Sequence, residues 1–531
     1  MGLAVYGVCT AAGMTLTASS ASAEDNKVLE RLDRLENRID TLETDVKTRD
    51  SKIQELENQV KQRDAKIQSM QSGQSAAATS AAATSAAQIQ PAAEQPTDPQ
   101  RLDNLERTVR QLNEITNAQA EELAKPKGPK VTTKGGLLVE SEDGQFSFQP
   151  FGRFHFDGSW YNQDKSKMGD GFQVRRARLG MTGKMFGDWM YKVEADFGRD
   201  TGNGKVGLKE AWIKYMGWPQ TELSAGNVPV PFGLEQYTSD NFITFIERAL
   251  PSPVFAPERL MGGTATYYTP NWGISAGGYG ASVDTVAPFA SGSTAGTPEG
   301  DQQFVATMRG TWEPISEKGE LVHLGLGFLY NNPSDQFISF STKPESNVTG
   351  VKFLSTGTIA NVDHFFEIDP EIALVYGPAS FQGEYFWTPI SRTQPSGTTS
   401  SPSVDISGWY GQFSYFLTGE SRNYNYKLAR FDRVTPFHNV GHDGGWGAVE
   451  LAARISNLNL DDGSHFQFGD ETDYTLGLNW YMNPNIRFMA NYIWVRNNAS
   501  ATGNSGNLLP GHLNDGYDDP SIFEVRAQVD F

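Results

Sequence analysis

Arginine is the residue of this chain best suited to do chemistry, and its distribution is uneven. Between residues 165 and 192 stand Lys165, Lys167, Arg175, Arg176, Arg178, Lys184 and Lys192, against Asp170 and Asp188. A guanidinium is a planar fork that donates two parallel hydrogen bonds to a phosphate or carboxylate, so the cluster suits anions. On a strand, Arg176, Arg178 and Lys184 share one face, opposite Ala177, Leu179 and Met181. The same residue types also serve as packing partners for glutamates inside a wall, and the spacing alone leaves both uses open.

Other chemistry is thinly represented. Acids gather at Asp461, Asp462, Asp470, Glu471 and Asp473, and again at Asp515, Asp518 and Asp519. They lack the spacing of an EF-hand and read as solvated outer loops. Seven histidines occur without HExxH, and neither a P-loop nor GxSxG is found, so no enzyme, metal centre or cofactor is expected. A net charge of −19 argues against nucleic acid as a partner.

These side chains need strands to aim them. From Ser521 to Phe531 the chain alternates strictly, with Phe523, Val525, Ala527, Val529 and Phe531 on one face and Glu524, Arg526, Gln528 and Asp530 on the other. A terminal strand ending in Phe resembles the insertion signal of bacterial outer-membrane barrels. The same dyad runs through Phe154 and Phe156, where Arg153, His155 and Asp157 would face inward. It recurs at Tyr191–Phe197, Val322–Tyr330, Phe381–Trp387, Val449–Ile455 and Ile486–Trp494. Short links at 186–188, 270–271, 377–379 and 483–485 alternate with long ones at 231–258, 283–301, 331–363 and 498–519. About sixteen antiparallel strands over 135–531, short turns on one rim and long loops on the other, describe an all-β transmembrane barrel. The segment 418–445 fits this plan worst, being too long for a turn on the short rim.

Before the barrel the period is helical. Leu3 to Thr17 with Ala21-Ser22-Ala23 reads as a secretory leader, 1–23, which contains the sole cysteine, Cys9. Over 24–70, Leu32, Ile39, Val46, Ile53, Val60 and Ile67 hold heptad a positions, and Val28, Leu35, Leu42, Leu56 and Met70 hold d positions. This spacing predicts an α-helical coiled coil, interrupted at d by Arg49 and Arg63 and roughly 60 Å long. An Ala/Ser/Thr/Gln spacer follows at 71–98, then a second short helix at 99–125 and a Pro/Gly linker at 126–134.

Five motifs carry a family resemblance: Phe172–Gly180 (FQVRRARLG), Phe232–Glu235 (FGLE), Thr244–Leu250 (TFIERAL), Leu417–Ser421 (LTGES) and Leu476–Asn485 (LGLNWYMNPN). In this order they resemble the phosphate-selective porins O and P. The resemblance implies a homotrimeric sixteen-stranded barrel in the outer membrane of a Gram-negative bacterium, among lipid and lipopolysaccharide. It also implies a third loop, about Pro231 to Pro257, folded into the lumen. Trimeric assembly leaves the rod's strand number open, because β-branched a with Leu d favours two strands.

The resemblance further implies an anion pathway. Arg153, Arg175 and Arg176 fall where the family has arginines, and Ser239 where it has a loop serine; Arg178, Lys184 and Lys209 extend the basic set. Gln236 stands in place of a family lysine, Asp240-Asn241 in place of Ser-Lys, and Lys209 in place of an aspartate. The segment 338–352, arginine-rich in the phosphate-binding members, offers Lys343 and Lys352. The expectation is an outer-membrane diffusion channel for small anions, phosphate-like solutes among them, with its coiled coil in the periplasm. The alternatives are a general or cation-preferring porin, and an envelope anchor whose rod reaches towards peptidoglycan.

Overall fold

Alternating sequence folds into a wall whose two faces see different solvents. The computed structural model describes residues 128–133, 136–198, 206–283, 302–393, 403–441, 444–462, 466, 468–498 and 517–531, with Arg107, Arg110 and Glu114 in addition. The expected leader, coiled coil and spacer lie outside the described residues. Of the second helix expected over 99–125, the three described residues are helical and exposed.

Sixteen of the described strands form the wall. In chain order they are β1 Ser147–Asn162, β2 Gly171–Met185, β3 Trp189–Asp196 and β4 Gly207–Trp218, then β5 Thr221–Pro229, β6 Arg259–Tyr268, β7 Trp272–Tyr279 and β8 Phe304–Glu317. The second half comprises β9 Glu320–Asn332, β10 Val362–Tyr376, β11 Ala379–Arg392 and β12 Val404–Phe416, then β13 Ala448–Asn459, β14 Asp470–Asn483, β15 Ile486–Asn498 and β16 Ser521–Asp530. Each pairs antiparallel with its neighbours, and β16 returns to β1 from Ser521↔Asn162 to Asp530↔Arg153. Closure leaves no strand edge without a hydrogen-bonding partner, which is what lets strands stand in hydrocarbon.

The faces are sorted as the alternation requires. Phe154, Phe156, Trp160, Leu326, Tyr385, Trp387, Phe488 and Trp494 point outward and are exposed, whereas Asp157, Arg178, Glu194, Glu371, Asn479 and Arg526 point inward and are buried. Phe531 continues the last ladder by exchanging backbone hydrogen bonds with Gly152 at 3.0 and 3.1 Å. Its ring lies over Gly152, where a Cβ would come within 2.6 Å of it, so a larger residue there would displace the terminal aromatic.

Connections of two or three residues (186–188, 219–220, 269–271, 318–319, 377–378, 484–485) share one rim. The long ones cross the other. The exception is 417–447, which joins β12 to β13 on the short-turn rim and turns inward. Its hairpin, Asn423–Asn425 with Arg430–Asp432, meets the lumen face of the wall: Tyr424 donates to Glu313 at 2.7 Å and Arg309 donates to the Ala429 carbonyl at 2.9 Å. The strand tally survives because this hairpin pairs with itself and not with the wall.

Three expectations change. Within 126–134, expected to be a linker, Lys130–Thr132 is a strand; it pairs with Leu138–Glu140, which in turn pairs antiparallel with Ser147 and Phe148 at the start of β1. The barrel wall expected from residue 135 begins at Ser147. Glu471, Asp473 and Asp518, expected in solvated loops, are buried: the first two face the lumen on β14, and Asp518 accepts the backbone N–H groups of Lys165 and Ser166.

The loop 230–258 folds into the barrel as expected of about Pro231–Pro257. It carries two one-turn helices, α1 Leu234–Tyr237 and α2 Ser252–Phe255. Gly233, at φ 73°, turns the chain into α1, and the N–H groups of Leu234 (2.5 Å) and Glu235 (2.9 Å) meet Glu384 on β11. Phe232, Leu250, Val254 and Phe255 of the loop pack against Leu329, Phe365, Phe386 and Ile390 of the wall. Ile338, Phe340 and Leu354 of the loop 333–361 join the same core. The pore is narrowed by a hydrophobic wedge along one side.

Candidate permeation site

The basic cluster depends on a backbone irregularity. Across β1 and β2 the register runs His155↔Arg176 and then Phe156↔Val174, so Arg175 is the extra residue of a β-bulge. On a regular strand adjacent side chains face opposite sides; the bulge re-aims Arg175 so that it and Arg176 both reach the lumen. A second bulge between β3 and β4 skips Lys209 in the same way, between Glu194↔Glu210 and Ala195↔Leu208. Both Lys209 and Glu210 are consequently buried.

What these cations meet is the acid-bearing loop. Asp240, 2 % exposed, lies among three arginines. Arg153 forms an ion pair with its Oδ1, Arg176 Nε lies 2.5 Å from Oδ2, and Arg178 Nη1 lies 3.3 Å from Oδ2. The Arg176 contact is a charge contact without hydrogen-bond alignment. Burial by itself would raise the Asp240 carboxyl, but Arg153, Arg176 and Arg178 outweigh it and hold this loop residue well below the usual carboxylate range. Glu247 repeats the arrangement: Arg175 grips it at 2.9 and 3.1 Å, and Arg526, itself bidentate on Asp157 at 2.7 Å, adds a bond at 2.7 Å. Wall side chains also donate to loop carbonyls: Arg487 to Ile243 (2.8 Å), Asn479 to Thr244 (2.8 Å) and Gln528 to Asn241 (3.0 Å).

Two cavities lie on either side of the loop. The larger, about 440 Å³, opens between β1–β6 and the inward hairpin and is lined by Arg153, Ser239 and Asp240 among others. The smaller, about 250 Å³, lies between Arg175, Arg176 and Arg178 and the segment 341–347 of the second inward loop. Both are lined by Gln236, Arg248 and Glu258, which therefore mark the neck.

Arg248 was not singled out from sequence. Its guanidinium donates to the carbonyls of Glu235 (3.2 Å), Gln236 (3.3 Å) and Thr238 (2.9 Å), the C-terminal end of α1. Among the described residues it has no carboxylate partner within ion-pair distance, and Glu258 beside it is bonded to Arg259. Arg430 of the inward hairpin is held likewise, donating to the Tyr237 carbonyl at 2.7 Å and lying over the Tyr237 ring at 4.7 Å. The FIERAL motif was the available signal, an arginine directly after Glu247. Nothing in the spacing says which of the two adjacent charges is neutralised.

The structure brings Arg153, Arg175, Arg176, Arg178, Ser239 and Asp240 together. Arg153 Nη1 lies 3.5 Å from Ser239 Oγ. Gln236 lies at the neck. Lys209 is buried on its bulge, its charge acting on Glu258. Lys184 stands apart: it is exposed near the short-turn rim, six positions beyond Arg178, or ~20 Å along the strand.

The pattern of the family described as phosphate-selective porin O and P matches residues 148–531. Porin O of Pseudomonas aeruginosa is 28% identical over 438 residues, covering 76% of this chain and 92% of that protein. An uncharacterised protein of Caulobacter vibrioides is 25% identical over 370 residues, covering 68% and 71%. Among solved structures, an anion-selective porin from Comamonas acidovorans aligns over 73% of this chain and 100% of its own, with 14% identity and a TM-score of 0.43. OmpT of Vibrio cholerae aligns over 73% and 98%, with 12% identity and a TM-score of 0.43. The family match spans the wall, both inward loops and the bulged arginine strand, and so the chain belongs to the phosphate-selective porin O and P family: it is an outer-membrane β-barrel channel and not an enzyme.

Proposed function

We propose that this channel passes small anions by diffusion through the neck formed by Gln236, Arg248 and Glu258, and that it holds phosphate weakly. The observation that carries the reading is Arg248: a cation shared by both vestibules and held by three backbone carbonyls. A fixed charge in a low-dielectric neck controls permeation more than the chain's net charge does. Weak phosphate binding follows from Asp240, whose carboxylate takes the guanidinium forks that a phosphate would use, and from Gln236, which adds no charge. Arg153, Arg175, Arg176, Arg178, Lys209 and Ser239 then hold the loop and set the field of the vestibules, and Lys184 has little part.

Planar-bilayer recordings test this. A positive result is a zero-current potential of anion sign in a KCl gradient, with chloride current reduced only at millimolar phosphate. A cation-sign potential favours the second reading, a general or cation-preferring porin, for which Asp240 at the centre of the cluster speaks.

The remaining parts of the proposal rest on sequence and family. Residues 1–23 are removed as a secretory leader, and 24–70 form a periplasmic coiled coil able to reach peptidoglycan. The barrel assembles as a homotrimer among lipid and lipopolysaccharide.

A further inference from the structure

On the side of the lumen away from the arginine cluster, the wall carries more acid than base. Glu367, Asp369 and Glu371 follow one another along the inner face of β10, and Glu384 of β11 stands directly opposite Glu371 in register. One carboxylate oxygen from each of Asp369, Glu371 and Glu384 lies within 4.8 Å of the others, and all three side chains are buried.

Their surroundings separate them. Glu371 is answered by Arg309, bidentate at 2.7 and 2.6 Å, and by His323 at 3.2 Å. Glu384 accepts the N–H groups that open α1 and the hydroxyl of Tyr410. Asp369 is fully buried, and among the described residues neither of its oxygens has a hydrogen-bond partner. It lies where a Cβ at Gly327 would touch both Phe232 and Asp369 itself, against the apolar wedge of the constriction loop. Arg309 offsets one negative charge, leaving those of Asp369 and Glu384. A buried carboxylate without partner is costly unless it takes up a proton or a cation joins it.

We infer that Asp369, Glu371 and Glu384 form a site for a divalent cation in the barrel wall. The ligand atoms are all carboxylate oxygens, which select hard ions such as Ca²⁺, Mg²⁺ or Mn²⁺ over thiophilic metals. Oxygens ~2.3–2.6 Å from a shared Ca²⁺ are up to about 5 Å apart, the separation this trio allows. Two positive charges match the two acids left after Arg309. Because Glu384 also receives the N–H groups of Leu234 and Glu235, the ion fastens the start of the constriction loop to the wall.

The test uses the full chain in detergent, stripped with chelator and titrated with Tb³⁺, read by luminescence sensitised from Tyr410. The stripped wild type is expected to bind one Tb³⁺ per chain more than Asp369→Asn does, and Ca²⁺ is expected to displace that ion. Asp519→Asn, altered at an exposed outer-loop acid, should keep it. Should Asp369→Asn fail to fold, the wild type alone decides: adding Ca²⁺ to the stripped protein should raise its thermal midpoint by several degrees. Equal Tb³⁺ stoichiometry in wild type and a folded Asp369→Asn, or an unchanged midpoint on adding Ca²⁺, overturns the site and leaves the three carboxyls sharing protons.

Discussion

The arginines around Asp240 and the arginine at the neck are the same residue type in opposite circumstances. On the wall, Arg153, Arg176 and Arg178 meet a loop carboxylate, and Arg175 meets another. At the neck, Arg248 meets three carbonyls, partial charges that orient the guanidinium without cancelling it. What a basic cluster does in this pore is thus decided by what the facing loop presents. Acids turn the cluster into an anchor, and carbonyls leave a fixed positive charge in the path.

The sharpest way to break the comparison is Asp240→Asn. Removing one partner of a buried ion network costs ~3–5 kcal/mol, which heat-modifiability on gels would report as a lower unfolding temperature. The freed arginines should then take phosphate, so that chloride current becomes sensitive to it at least tenfold lower in concentration. Gln236→Lys sharpens the other side by adding a second cation beside Arg248. A several-fold rise in anion-to-cation permeability is expected, with folding unchanged.

Acid titration separates anchoring from selectivity. Asp240 and Glu247, both on the loop, have carboxyls held well below their unfolded values: burial raises them, and the arginines lower them by more. Groups depressed on folding contribute stability that is complete above the unfolded pKa of ~4 and is lost as pH falls through the lower folded value. The stability these two carboxylates contribute, read as the thermal-midpoint difference between wild type and Asp240→Asn, should therefore hold steady from pH 7 to about 4 and shrink below that. There the zero-current potential should move towards anions as the two acids are neutralised. Lys184→Ala, at the far rim, should change neither quantity beyond error.

Much of the wall could be read from the chain because a period of two is set by the strand itself. Phe523–Phe531, Ile486–Trp494 and Phe381–Trp387 all face outward as their alternation requires. Loop lengths likewise disclosed the rims and the inward loop. The features that escaped depend on register and on partners far along the chain. Strict alternation would turn Arg175 towards lipid; the bulge that rescues it exists only between two strands. The hairpin within 417–447 folds against Glu313 and Arg309, more than a hundred residues away, which its own sequence does not announce. Glu471 and Asp473 read as loop acids because they adjoin Asp461 and Asp462, yet β14 starts at Asp470 and takes them inside. The trio Asp369, Glu371 and Glu384 spans two strands and matches no linear motif.

The central claim, that the carbonyl-held cation at the neck sets the selectivity, is tested most directly by the zero-current potential of Arg248→Ala in a KCl gradient. A unit charge acting over ~10 Å at an effective dielectric constant of ~20 is worth about 1.7 kcal/mol, or roughly tenfold in permeability ratio. The account predicts an anion-selective wild type and a shift of about that size towards cations in Arg248→Ala, with the barrel still folded. A wild-type pore of cation sign, or one whose potential ignores the loss of Arg248, would contradict it.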